Sequence, residues 1–274
     1  MAPQAANKKS RPNWGRIAKY GLLAAGLTAV LATGIYASQQ LEQFLIRDPR
    51  FFLPGPPDYG MESPNLELQG IHYASRSQIL NLFTRDFGRS LYLFPLADRR
   101  RALLRVNWVK DASIMRLWPN RVVVQVTERQ PVAFLDLKVD MMMSRWALID
   151  ADGVILDPPQ RAPFKLPVIT GVRADEPQST RGTRVRRMLR MMKELGSLGN
   201  NISEINVRDL DDVAVTEQIG GRGIVLMLGE RNFASRLQNF LDHYTDIHRK
   251  MPNATSFDLR LDDRITAVGS QSGA

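Results

Sequence analysis

The side chains best suited to chemistry are few and scattered. There are three histidines, His72, His243 and His248. The last two are five residues apart on what reads as one helix, so they point roughly 140° away from each other and cannot share a metal ion without distortion. Asp150, Asp152 and Gly153 imitate the start of a calcium loop, but the acidic residue such a loop needs further on is missing. A turn between two strands accounts for them. Gly220-Gly221-Arg222-Gly223 is too short to cradle a phosphate and no Lys-Ser or Lys-Thr pair follows it, so it reads as a hairpin. Asp262-Asp263 resembles a carboxylate pair for acid–base work, yet fits a solvated turn better. Met141-Met142-Met143 and Met188, Met191 and Met192 could offer thioethers, but methionine more often fills gaps in a core. Trp108 and Trp118 read as core or strand-surface aromatics. No nucleophile elbow and no Ser-x-x-Lys occurs. No catalytic group, metal, cofactor or small-molecule substrate is expected; the missing motifs lower the expectation of an enzyme without disproving one, since catalytic groups converge from distant positions.

The elements that carry these residues are clearer. The chain has 274 residues, of which 44% are hydrophobic and none is Cys. This excludes a disordered chain, a polytopic membrane protein, a disulfide framework and a cysteine nucleophile. Net charge is +9, but Lys8, Lys9, Arg11, Arg16 and Lys19 supply +5 of it before any acid occurs, leaving +4 for the rest. Residues 20–41 carry no formal charge. About 20 apolar residues of helix cross a bilayer core, so this stretch reads as a membrane segment with a positive flank. A cleaved signal peptide competes with a retained anchor. Ala32-Thr33-Gly34 could serve as a cleavage site, but it lies inside the apolar run, which favours the anchor. By the positive-inside rule residues 1–19 form a cytoplasmic tail and everything after the anchor lies outside the cytoplasm. That placement argues against nucleic acid as a partner.

Residues 42–64 are rich in Pro and Gly and read as a linker. Residues 65–129 then follow a β-α-α-β-β order. Leu66 and Leu68 alternate as a strand ended by Gly70. Ser75 caps a helix carrying Ile79, Leu82 and Phe83. Asp98 is expected to cap a second helix with Ala102, Leu103 and Val106. Two strands follow, turning at Pro119-Asn120 and ending with Val122, Val124 and Val126. From 130 to 268 short strands dominate, with amphipathic helices over 184–199 and 231–250. Phe257–Leu261 and Ile265–Val268 close the domain as strand, and residues 269–274 form a loose tail. The fold class is α+β: a transmembrane helix, a β-α-α-β-β domain and a mixed β domain with two helices.

That order is the order of a POTRA domain, and the residues go further. Asn107-Trp108-Val109, Arg116-Leu117-Trp118-Pro119 and Glu128-Arg129-Gln130-Pro131-Val132-Ala133 resemble the signature of the bacterial cell-division family FtsQ/DivIB. Its members read Pro-Trp-Val, Arg-x-Trp-Pro and Glu-Arg-x-Pro-Val-Ala, so Asn107 departs from the pattern. Leu148-Ile149-Asp150-x-x-Gly153 and Phe257-Asp258-Leu259-Arg260 match as well, as does the order of tail, anchor, POTRA and β domain. The resemblance covers roughly residues 15–268. It marks Gly70, Trp108, Val109, Arg116, Trp118, Pro119, Glu128, Arg129 and Pro131 as signature positions.

The resemblance implies a non-enzymatic, single-pass inner-membrane scaffold of the division septum, with its C-terminal part in the periplasm. Such proteins bind FtsB and FtsL and recruit or restrain the septal peptidoglycan synthase FtsW–FtsI. FtsB binding is implied at the terminal strand, here Phe257, Asp258, Leu259, Arg260, Leu261, Asp262, Asp263, Arg264, Ile265, Thr266, Ala267 and Val268. A last strand often forms a sheet edge where a partner can add a strand. Phe257, Leu259 and Leu261 are expected to face the core. Some family members carry late aromatic anchors where this chain has Leu261, Ala267 and Gly269. Two other readings compete. A POTRA-bearing periplasmic chaperone or transport component normally carries a long set of barrel strands, which two amphipathic helices interrupt here. A cell-wall enzyme would need a catalytic set that is not recognisable.

Overall fold

A computed structural model describes residues 14–56, 63–138, 144–159 and 164–269. Met141–Met143 and the tail beyond 269 lie outside them. The described residues form two compact units. One takes those up to 69 with 80–101 and 113–125; the other takes 70–79, 102–112 and those from 126 on.

The first unit begins with helix α1 (Trp14–Arg47), of 34 residues. It is the one described helix long and apolar enough to cross a membrane, and its most apolar stretch is not buried against the described residues. The helix outlasts the uncharged stretch, so residues 42–47, expected as linker, are helical. Residues 48–53 after it are ordered as well. Asp48 caps a 3-10 turn at Pro49–Phe51, Phe52 bridges Ser90, and Leu53 is fully buried. The Leu53 N–H donates to Arg89 O at 3.0 Å, and its carbonyl accepts from the Gly88 N–H at 2.9 Å. Ser90 Oγ donates to Leu45 O at 2.6 Å, which ties the helix end to the unit.

Strand β1 (Leu66–Gln69), helix α2 (Arg76–Asn81), helix α3 (Leu96–Leu103), β2 (Val109–Leu117) and β3 (Arg121–Glu128) realise the expected β-α-α-β-β order. The sheet order is β1-β3-β2, with β1 parallel to β3. Apolar side chains at alternate positions of β1 are buried, as the 2-residue period of a strand requires. Ser75 caps α2 through a 3.3 Å bond from the Gln78 N–H. Asp98, expected as a cap, instead lies within the first turn of α3. There its charge still opposes the helix dipole favourably.

The second unit holds a nine-stranded sheet. Its strands are β4 (Pro131–Lys138), β5 (Ser144–Asp150), β6 (Ile155–Leu156), β7 (Val168–Thr170), β8 (Ile202–Asn206), β9 (Val213–Ile219), β10 (Arg222–Gly229), β11 (Ser256–Asp258) and β12 (Thr266–Ala267). Spatially they run β12-β11-β10-β9-β8-β7-β4-β5-β6. Helices α4 (Gln178–Leu195) and α5 (Phe233–Lys250) supply Val185, Met188, Met191, Phe233, Leu237 and Phe240 to its core. Met188 and Met191 are therefore packing residues. α4 starts six residues before the expected position. Gly182 falls on its buried face, where a Cβ would sit 3.0 Å from Asp152 O, so the face that makes contact shows no apolar side chain at that point.

Candidate functional site

The C-terminal edge is built differently from the single strand expected at 257–268. β11 pairs parallel with β10, and β12 pairs antiparallel with β11 through Phe257 opposite Ala267 and Asp258 opposite Thr266. Between them, 259–265 form a loop. Phe257 and Leu259 are buried, as expected. Leu261 is 52% exposed, because the chain has left the sheet by then and alternation no longer decides which side a residue faces. The Leu259 N–H donates to Met227 O at 3.0 Å, the last ladder bond before the turn.

Two arginines hold this loop. Arg260 donates through Nε and NH2 to the two Asp258 oxygens at 2.9 and 2.6 Å, and through NH1 to Asp212 at 3.0 Å. The Asp258 carboxyl is held below the usual range, first by the Arg260 bond, and the Arg260 guanidinium is raised by the same bond. Arg236 on α5 donates to Asp262 at 2.8 Å and to Leu228 O at 2.7 Å. Asp262 is thus an ion-pair partner, lowered by Arg236, not half of a carboxylate pair. Asp263 lies 3.8 Å from Arg264 at the surface. A hollow of about 140 Å³ opens between α5 and the loop, lined by Arg236, Asn239, Leu261, Asp262 and Ile265 among others. Arg236 and Asp212 were not among the expected site residues. A lone arginine on an amphipathic helix gives no sign that its partner lies 26 residues away.

β12 is the outermost strand. The Val268 N–H donates inward to Ser256 O at 2.9 Å. In an antiparallel ladder, inward-bonded and outward-facing residues alternate. The N–H and C=O of Ala267 therefore point away from the sheet, and Thr266 pairs inward. Thr266 is exposed, while Ile265 and Ala267 are partly buried against the core. Among the described residues no strand pairs with this outer side, and the side chains along it are small.

The signature residues serve packing and polar accounting. Gly70 has φ +75°, and a Cβ there would lie 2.1 Å from Val126 O, so no other residue fits. Glu128 accepts the backbone N–H groups of His72, Tyr73 and Ala74 at 2.7–2.9 Å through one oxygen. Val109 is buried. Trp108, also buried, donates through Nε1 to Asp157 O at 3.0 Å. Asn107 donates to Ile155 O at 2.9 Å and accepts from the Asp157 N–H at 3.0 Å. Proline could make neither bond, which gives the departure from the pattern a physical role. Arg129 pairs with Asp150 at 2.7 Å. Asp150 also accepts from the Asp152 and Val154 N–H groups, so the calcium-like turn is closed from within. Pro131 opens β4. Arg116 donates to the carbonyls of Leu91 and Tyr92. Trp118, ahead of Pro119 across a cis bond, is half exposed and sits edge-on to Phe51.

Among the described residues no cluster of three or more His, Asp or Glu is arranged for a metal. His243 bonds Asn239 O and His248 stacks on Tyr244.

A lone apolar N-terminal helix, a POTRA-type β-α-α-β-β arrangement and a β-rich domain together define a membrane-anchored POTRA protein. Residues 64–129 match the family model for the FtsQ-type POTRA domain, and residues 141–260 match that of the FtsQ/DivIB C-terminal domain. The cell division protein FtsQ of Koribacter versatilis is 35% identical over 209 residues, covering 74% of this chain and 59% of that protein. FtsQ of Zymomonas mobilis is 30% identical over 42% of this chain and 35% of its own length. FtsQ of Caulobacter vibrioides is 28% identical over 56% and 48%. The matches therefore span between about a third and three fifths of these relatives. The chain belongs to the FtsQ/DivIB family of cell-division proteins.

Proposed function

We propose that the chain is a scaffold of the division septum that presents its β12 edge to partners of the FtsB and FtsL type, and through them to a synthase of the FtsW–FtsI type. α1 crosses the inner membrane with the basic N-terminal tail in the cytoplasm and the remainder in the periplasm. The observation that carries this reading is the outward backbone of Ala267 on the last strand of the sheet. An extended partner segment adds there by backbone hydrogen bonds, and the Arg236–Asp262 and Arg260–Asp258 pairs keep the supporting loop in place. The edge is only two residues long, which limits promiscuous strand pairing and leaves part of the affinity to side chains around Leu261, Asp262 and Arg264.

The test is site-specific photo-crosslinking in dividing cells. Probes go at each position from Asp258 to Val268, with Lys110 and Arg121 for comparison. Adducts to a small coiled-coil membrane protein concentrated at Leu261 and 264–268 support the reading. Silence there, with adducts only at the comparison sites, contradicts it.

A further inference from the structure

We propose that the tip of the first unit, built on Phe44, Phe51 and Trp118, seats in the headgroup layer of the same bilayer that α1 crosses. This rests on reading α1 as a membrane-spanning helix. The residues from Tyr20 to Leu41 rise about 33 Å at 1.5 Å each, which fills a hydrocarbon core of about 30 Å. The headgroup layer beyond it is roughly 5–7 Å deep on each side. Phe44 lies about 4–5 Å past Leu41 along the axis, and so within that layer.

Nothing slack separates Phe44 from the rest of the tip. Its ring meets Phe51 edge-on at 5.5 Å, and Phe51 meets Trp118 edge-on at 5.6 Å. The 3-10 turn after α1 and the Ser90–Leu45 bond fix this chain of rings to the helix end. All three rings and their supports lie in the same compact unit. Trp118 is nevertheless 51% exposed, Phe44 45% and the neighbouring Leu117 42%. Trp118, an amphipathic aromatic with one open face, matches the belt of Trp and Tyr at bilayer interfaces, and the apolar rings of Phe44 and Phe51 join it to the end of the membrane helix.

The charges agree with this placement. The Arg50 guanidinium lies 5.6 Å from the Phe44 ring centre and is paired with Asp48. Arg47 has no ion-pair partner among the described residues. It lines an open hollow of about 440 Å³ with Gln40, Gln43, Phe44, Asp48 and Pro49. A cation and two amides beside the helix end suit a lipid phosphate. The consequence is that the first unit is held at the membrane surface by two points, the helix and the Trp118 turn, and does not swing freely on a tether.

The chain has no Cys, so single-cysteine labelling needs no background removal. The full chain is reconstituted into phosphatidylcholine–phosphatidylglycerol vesicles with a nitroxide at Leu117→Cys, Ser113→Cys or Val30→Cys. Collision rates with oxygen and with a water-soluble nickel complex report depth. The Leu117 label is expected to be protected from nickel several-fold relative to Ser113, and Val30 far more so. Adding Trp118→Ala to Leu117→Cys removes the Leu117 protection while circular dichroism stays unchanged. A Leu117 label as accessible to nickel as Ser113, with Val30 protected, overturns the proposal and leaves the anchor intact. An accessible Val30 overturns the anchor reading and the proposal together.

Discussion

Arg129→Leu removes the cation from a pair whose carboxylate has little access to water. Asp150 is 4% exposed at its side chain and Arg129 17%. Breaking a buried pair from one side costs about 3–5 kcal/mol, because an uncompensated charge stays behind. Two backbone donors, the N–H groups of Asp152 and Val154, remain on Asp150 Oδ1 at 2.9 and 2.8 Å. They place the expected loss at the low end, about 3 kcal/mol. Asp150→Asn is milder. It keeps an acceptor for both N–H groups, and Arg129 still has Asp152 at 3.7 Å, so about 1–2 kcal/mol is expected. The double variant should cost clearly less than the sum of the two, since each single change already breaks the same contact. Urea unfolding of the full chain in detergent micelles, followed by tryptophan fluorescence, measures all three. An Arg129→Leu cost below about 1 kcal/mol, with additive singles, would show that the pair behaves like a solvent-screened surface bridge and would refute the reasoning.

Gly70→Ala puts a methyl group 2.1 Å from the Val126 carbonyl at a left-handed φ. The left-handed φ alone costs about 1–2 kcal/mol; displacing the carbonyl adds to it, and the melting temperature should fall by several degrees. Glu217 is buried with one orphaned oxygen, and burial raises its pKa above the ordinary 4.5. A carboxyl raised on folding favours the protonated native state. Its contribution is fully present below the unfolded value and is lost as pH rises through the folded one. Glu217→Gln should therefore stabilise the protein at neutral pH and flatten the decline in stability above pH 4.5; equal pH profiles for the two proteins would contradict this. Arg260→Ala frees Asp258 and Asp212 and loosens the 259–265 loop. Faster amide exchange at Leu259 and Val268, with α4 unchanged, is the expected signature.

The β-α-α-β-β order over 65–129 was legible because each element carries its own local signal. β1 alternates buried and exposed, Ser75 caps α2, and Gly70 and Gly88 stop what precedes them at positive φ. The C-terminal edge was only half legible. Leu259, Leu261 and Ile265 keep a strand-like spacing, but the turn is imposed by Arg236 and Arg260 reaching carboxylates that are distant in sequence. Residues 48–53 were not legible as ordered for a related reason. Pro49 and the prolines after it signal a loop, yet Leu53 is buried and Phe52 pairs with Ser90 through contacts that no local pattern announces.

The most direct test of partner docking is Ala267→Pro. The substitution removes the one outward donor of β12 and leaves the inward bond from Val268 to Ser256 intact. Calorimetric titration of the folded variant with the soluble segment of an FtsB-type partner should show at least a tenfold loss of affinity, about 1.4 kcal/mol. The melting temperature should stay within a few degrees of the unmodified chain. Unchanged affinity in a folded Ala267→Pro protein would contradict strand addition at this edge.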